Sequence, residues 1–163
     1  MSGKHLIESP TKADGAALWR IARDSKKLDL NSSYAYLLWC RDFADTSVVA
    51  KVDGTPVGFV LGYRKQDTGF VWQVAVDASQ RGKGLAGALL DELFDRLVAQ
   101  GVRYLETTIT PDNEASIRLF ASFAKRWDTD LERRDLFSAK DFPAEDGTHE
   151  QEDLYRIGPL SSR

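Results

Sequence analysis

The sequence predicts an α/β fold built on a mixed β-sheet, and three observations carry that prediction. The middle half alternates strand and helix patterns over residues 70–76, 85–98 and 102–110, with a further helix from about 114 to 125. This order gives parallel strands joined by a right-handed crossover. Upstream, two β-branched and aromatic runs, residues 46–52 and 57–63, flank Asp53-Gly54, a strong hairpin signal. A hairpin leading into a crossover makes the sheet mixed.

Each element has its own local reason. Residues 5–9 read as a short strand. Thr11 and Asp14 offer N-caps to a helix over 15–24, where Ala17, Leu18, Ile21 and Ala22 recur at helical spacing. Residues 31–43 open with capping side chains and continue as a largely apolar helix. The run Phe70-Val-Trp-Gln-Val-Ala-Val76 is apolar enough for a central strand. Leu85, Leu89, Leu90, Leu93, Phe94 and Leu97 form one face of the next helix, which Gly101 stops. Residues 102–110 put Leu105, Thr107 and Ile109 on one strand face and Tyr104, Glu106 and Thr108 on the other. Pro111-Asp112-Asn113 then starts the following helix. Residues 126–163 are charged and weakly patterned, with strands expected near Asp135 and over 154–157. No repeat or linker divides the chain, so one domain spanning residues 1–163 is expected.

Composition closes several functional classes. With 163 residues, 42% hydrophobic and 29% charged, the chain is long and apolar enough for its own core. Its 22 basic and 25 acidic residues give a net charge of −3, against the basic footprint of a nucleic-acid binder. Cys40 is the one cysteine, which excludes an intramolecular disulfide and reads as a small buried thiol. His5 and His149 complete no metal-ligand pattern, and no metal is expected. Residues 1–10 show no export signal, and no apolar stretch approaches the ~20 residues of a membrane span. A cytoplasmic protein without nucleic-acid or membrane partners is the expectation.

The chemistry concentrates after the central strand, in Arg81-Gly-Lys-Gly-Leu-Ala-Gly87. Gly82 and Gly84 keep side chains away from the backbone, the amides of a starting helix point outward, and Arg81 and Lys83 add positive charge. Together these make a cradle for a diphosphate. No Ser or Thr follows Lys83, which excludes a Walker A loop. The spacing Gly82-x-Gly84-x-x-Gly87 matches a dinucleotide fingerprint, with Glu106 as its acid, but Glu106 lies within its strand rather than after it.

Arg81-Gly-Lys-Gly-Leu-Ala86 resembles the coenzyme A signature of the GNAT superfamily of acetyltransferases. Asn113-Glu-Ala-Ser-Ile-Arg-Leu-Phe120 resembles the second half of that signature, an asparagine and a small residue opening a helix one strand later. The resemblance implies a mixed sheet with helices on both faces and acetyl-CoA as cosubstrate. It places the pyrophosphate on Arg81, Gly82, Lys83, Gly84, Leu85 and Ala86, and the pantetheine arm along Val74, Ala75 and Val76, with Asn113 beside it. It also implies a homodimer, as is frequent in the family. Residues 28–38, 70–76 and 108–116 further resemble the diaminobutyrate acetyltransferase branch, which serves ectoine biosynthesis and osmoadaptation. That resemblance implies acetylation of the 4-amino group of L-2,4-diaminobutyrate to N4-acetyl-L-2,4-diaminobutyrate.

An alkylamine with a pKa near ~10 is mostly protonated at pH 7, so such a site must remove a proton and hold a dication that also carries a carboxylate. Asp29, Tyr34, Glu106, His149 and Glu152 are the candidate substrate ligands, with Trp72 as an aromatic wall. Glu106 and Tyr34 are the candidate catalytic groups, Glu106 as base. Phe120 stands where many GNAT enzymes carry a tyrosine that protonates the leaving thiolate, and phenylalanine donates no proton. Trp19, Trp39 and Trp127 read as packing. The competing readings are an acetyltransferase of polyamines or protein N-termini and a non-catalytic acetyl-CoA sensor, followed by a nicotinamide-dependent oxidoreductase.

Overall fold

The strands are β1 (Leu6–Glu8), β2 (Val48–Val52), β3 (Thr55–Lys65), β4 (Thr68–Val76), β5 (Tyr104–Ile109), β6 (Asp130–Phe137) and β7 (Glu152–Gly158). The helices are α1 (Gly15–Ser25), α2 (Ser33–Asp42), α3 (Leu85–Ala99) and α4 (Glu114–Arg126). This computed structural model describes residues 5–147 and 149–163. The expectation that residues 1–10 carry no export signal reaches residues 1–4, which lie outside the described residues. The strands form one sheet in the order β1-β2-β3-β4-β5-β7-β6. Among the described residues only β4 and β5 run parallel, joined through α3, so the sheet is mixed as the hairpin and crossover predict. Asp53 and Gly54 both have positive φ, at 51° and 80°, which matches the right-handed twist of the β2–β3 hairpin.

Two apolar clusters sandwich the sheet. On one face Leu85, Leu89, Leu90, Leu93, Phe94 and Leu97 of α3 and Phe120 and Phe123 of α4 pack on Val48, Val60, Val71 and Leu105. On the other, Leu18, Ile21 and Ala22 of α1 and Tyr36 and Cys40 of α2 cover Val49, Phe59, Leu61 and Ala75. Each fully buried leucine contributes roughly 1.5–3 kcal/mol, so the long face of α3 anchors the crossover. Cys40 is buried, and burial with the nearby Asp14 charge pushes its thiol up to about 11, far from a nucleophile's range. Trp127 is buried against Phe123, and Trp39 stacks on Trp72 at 4.1 Å, so these indoles do pack.

The sheet is irregular in the middle of β4. Leu61 pairs with Gln73 and Gly62 with Val71, which leaves Trp72 as an additional residue, a β-bulge in β4. A glycine is needed opposite, because a Cβ at position 62 would lie 2.6 Å from the Phe70 carbonyl oxygen. Side chains complete the backbone bonding there: the Gly62 carbonyl accepts from Thr46 Oγ1 (2.7 Å) and Trp39 Nε1 (3.1 Å), and its N–H donates to Ser47 Oγ (3.2 Å). On the other edge, β4 pairs with β5 only from Thr68 to Val71. Where the ladder stops, Thr107 Oγ1 donates to the Val71 carbonyl at 2.9 Å. Beyond that point the two strands part, and the edge of residues 72–76 is open towards β5.

Replacing Thr107 by the isosteric valine leaves the buried Val71 carbonyl without this donor. We expect a loss of about 1–3 kcal/mol in urea-induced unfolding, with no change in the slope of the transition. Unchanged stability would show that the hydroxyl does not hold the strand fork.

Candidate active site

The glycine-rich segment sits where β4 hands over to α3. The Asp77 N–H donates to the Val57 carbonyl at 2.7 Å, and the Asp77 carboxylate accepts from the Ser79 N–H at 3.0 Å. The chain then makes two left-handed turns, at Gly82 (φ 77°) and Gly84 (φ 74°). A Cβ built at either position meets nothing within 4 Å, so the reason for glycine is the φ angle and an open approach, not crowding. Arg81, Gly82, Lys83 and Gly84 are exposed, whereas Leu85 is buried and roots the helix. The first bond closing α3 runs from the Ala88 N–H to the Gly84 carbonyl at 3.1 Å. The Arg81 N–H donates to the Ala78 carbonyl at 3.3 Å, so the amides open to a ligand are those from Gly82 to the first turn of the helix. The observed geometry fits a pyrophosphate: free amides, two cations and no obstructing side chain.

The open edge of β4 borders a cleft of about 930 Å³. Its walls are the 26–31 segment between α1 and α2, the bulge at Trp72 and Gln73, the C-terminal end of β5, the start of α4 and the segment between β6 and β7. Of the residues expected from sequence, Asp29, Trp72, Val74, Asn113, His149 and Glu152 line it. Phe120 lines it as well and is buried. Asn113 also has a structural task, since its Oδ1 accepts from the Ser116 N–H at 3.2 Å and caps α4.

The acidic side of the cleft is organised around His149. Its ring stacks on Phe142 at 3.7 Å, Nδ1–H donates to the Glu150 carbonyl at 2.7 Å, and Nε2 lies 3.1 Å from Asp29 Oδ2. This contact ties the β6–β7 segment to the α1–α2 segment across the mouth of the cleft. The Glu150 carbonyl and the Asp29 carboxylate hold the imidazole pKa above its ordinary value. Glu152 is half-buried beside Thr108. Its burial raises the carboxyl pKa, the Thr108 hydroxyl and the His149 charge oppose that, and Asp29 and Asp153 add to it. At the rim, Asp112 and Glu150 share a hydrogen bond, which raises Glu150 and lowers Asp112.

Two of the expected substrate-binding and catalytic residues are not brought to the cleft lining. Glu106 stands directly across from Arg156 in the β5–β7 register, and the two form an ion pair at 2.6 Å. Arg156 in turn lies 3.8 Å over the Tyr104 ring. The Glu106 carboxylate, expected from sequence as the base, thus has an ion-pair partner across the strands and is not part of the cleft lining. Tyr34, expected from sequence as a catalytic and substrate-binding group, is 68% exposed on the first turn of α2 and is absent from the lining. Ala75, Val76 and residues 81–86 lie beyond the cleft lining, along the continuation of β4 into the glycine turn. Sequence reasoning missed Gln73, Thr108 and Phe142 as cleft residues. Thr108 had a signal, since it follows Glu106 on the same polar strand face. Gln73 had a weaker one, a lone amide inside an apolar strand.

His149 has a folded-state pKa raised above its unfolded value, so its contact with Asp29 stabilises fully below the ordinary imidazole pKa of about 6.5. That contribution is lost as pH rises through the raised folded value. Comparing thermal midpoints at pH 6 and pH 9, the wild type should exceed His149→Gln by more at pH 6. An equal difference at both pH values would show that the contact is not charged.

The sequence model of the acetyltransferase (GNAT) family matches residues 16–124. The chain is 61% identical over 161 residues to the L-2,4-diaminobutyric acid acetyltransferase of Streptomyces coelicolor, covering 96% of this chain and 94% of that protein. It is 59% identical over 160 residues to the protein of the same name from Streptomyces avermitilis, covering 95% and 88%. Among solved structures it is similar to the diaminobutyrate acetyltransferase EctA from Paenibacillus lautus, in complex with L-2,4-diaminobutyric acid and coenzyme A. That match has a TM-score of 0.90 and 40% identity and covers 96% of both chains. With the forked sheet, the glycine turn and these similarities in hand, the chain belongs to the GNAT family of acetyltransferases.

Proposed function

We infer that this chain is an acetyl-CoA-dependent N-acetyltransferase that converts L-2,4-diaminobutyrate to N4-acetyl-L-2,4-diaminobutyrate, the acetylation step of ectoine biosynthesis. One observation carries the reading: the open β4 edge, which continues into the glycine turn, borders a cleft whose far wall sets carboxylates beside an indole. The relatives named for this reaction support the choice of substrate. A sensor of acetyl-CoA has no need of a pocket for a cationic amine.

Acetyl-CoA supplies the acetyl group as a thioester. The amides and cations of Arg81 to Ala86 hold its pyrophosphate, and the backbone of Val74, Ala75 and Val76 holds the pantetheine arm as an added strand. A backbone amide on that same edge is directed at the oxygen where negative charge develops. Asn113 flanks the arm from the start of α4. On the opposite wall, Asp29 and Glu152 attract the ammonium groups, His149 holds Asp29 in place, and Trp72 limits the width of the pocket. Glu152 is the proton acceptor: burial raises its pKa towards neutrality, where a carboxylate removes a proton from an amine more effectively. The thiolate leaves without a tyrosine donor, because position 120 is phenylalanine and a thiolate is a weak enough base to depart unprotonated. The working form is a cytoplasmic homodimer, a reading supported by the use of acetyl-CoA and by exposed Leu136 and Phe137 on the edge strand β6.

Coenzyme A release should be strong with diaminobutyrate and weak with putrescine or a short peptide, and a preference for peptide would overturn the substrate assignment. Glu152→Gln should lower kcat/KM by roughly 10²–10⁴-fold. In the wild type, kcat/KM should rise with pH through a midpoint above the ordinary glutamate value of about 4.3, because the raised-pKa base acts when ionised. A variant with near-normal kcat/KM would exclude Glu152 as base. Phe120→Tyr should leave turnover within about threefold, whereas a large gain would show that proton donation limits the reaction.

A further inference from the structure

Gln73 is an unusual residue for the middle of a central strand: a primary amide, 5% exposed, between apolar neighbours. The bulge explains where it points. Val71 and Val74 pack on the α3 side, whereas Trp72 belongs with the α1–α2 cluster and Gln73 bonds to groups on that same side. Two consecutive side chains thus lie on one face, which a regular strand does not allow.

Both ends of the amide are engaged. The Tyr36 hydroxyl, on a fully buried side chain of α2, donates to Gln73 Oε1 at 2.7 Å. Gln73 Nε2 donates to the Asp29 carbonyl at 3.1 Å, and Asn31 Nδ2 donates to the same carbonyl at 3.2 Å. Burial raises the Tyr36 hydroxyl above the ordinary phenol range, so it stays protonated and acts as donor. The Asp29 carbonyl can only accept, so it fixes the nitrogen end of the Gln73 amide and leaves the oxygen to the Tyr36 hydroxyl. The Asp29 side chain itself is 84% exposed, and among the described residues its polar partner is His149, on the segment across the cleft. Its backbone carbonyl is what fastens it to the sheet.

We propose that Tyr36 and Gln73 are positioning residues for substrate binding, forming a buried relay from α2 through the β4 bulge that fixes the Asp29 carboxylate at the mouth of the cleft. This rests on the reading of Asp29 as a ligand of the amine substrate. The relay touches neither the glycine turn nor the α4 start, so it governs the amine and not the cosubstrate. Asn31 supplies a second donor to the carbonyl, which keeps the segment folded when the relay is cut and lets the effect appear as affinity.

Steady-state kinetics of the full chain separate these roles. Tyr36→Phe and Gln73→Leu should each raise KM for diaminobutyrate about tenfold, the scale of one buried hydrogen bond, and leave KM for acetyl-CoA within about twofold. Leu18→Ala, a core truncation in α1, controls for lost stability and should lower the thermal midpoint without moving KM for diaminobutyrate. Tyr36→Phe removes a single oxygen and preserves the packing, so it reports even if Gln73→Leu does not fold. In Asp29→Ala the backbone carbonyl remains and the carboxylate is gone, so adding Gln73→Leu should raise KM no further. If Asp29→Ala leaves KM unchanged, the reading of Asp29 fails and takes the relay with it. If Asp29→Ala raises KM while Tyr36→Phe has no effect, or the Asp29 and Gln73 effects multiply, the relay alone is overturned.

Discussion

The parting of β4 from β5 is the constraint on which the site depends. A parallel ladder that continued to Val76 would use up the backbone groups that a pantetheine arm needs, and would close the cleft. The ladder stops at Val71 because β4 gains a residue at Trp72, which turns the strand away from its neighbour. The bulge persists because its unusual backbone is satisfied: Gly62 bonds to Ser47, Thr46 and Trp39, and Thr107 takes the last carbonyl of the ladder. Leaving such buried groups unpaired would cost about 1–3 kcal/mol each. The fork is therefore held by side chains from α2, β5 and the α2–β2 turn, not by the strand itself.

From that fork the two halves of the chemistry separate in space. The edge of β4 runs on into the glycine turn, where positive charge and free amides gather. The bulge residues face the other way, towards Asp29 and the acidic β6–β7 segment. A chain with a net charge of only −3 thus presents two oppositely charged surfaces to two reactants of opposite charge. The His149–Asp29 contact joins the two segments that border the acidic half, so neither of them depends on its own loop structure alone.

Much of the fold was legible because it is written in local pattern. The hairpin follows from Asp53-Gly54, the crossover helix from the leucine spacing of α3, and the anion cradle from glycine and charge at a strand-to-helix junction. The substrate side was legible in part. Asp29, Trp72, His149 and Glu152 line one cleft, whereas the pairing of Glu106 was not legible, because Arg156 lies 50 residues away and is set opposite it only by the β5–β7 register. A charged residue in mid-strand announces that it has a partner and does not say whether that partner is a ligand or an arginine. Tyr34 and Tyr36 illustrate the same limit: two residues apart on α2, one is exposed and the other entirely buried. Helical phase relative to the sheet decides which of them takes part.

By itself the sequence determined the element order, the mixed sheet, the glycine-rich turn between strand and helix and the acidic character of the segments around His149. These depend on periodicity, turn chemistry and charge, which act over a few residues. Tertiary structure alone decided where the sheet forks, that Trp72 and Gln73 share a face, and that Glu106 is spent on Arg156. Each of these is a question of register, and register is set by pairing between strands distant in the chain: a shift of one residue exchanges the two faces without altering any local pattern.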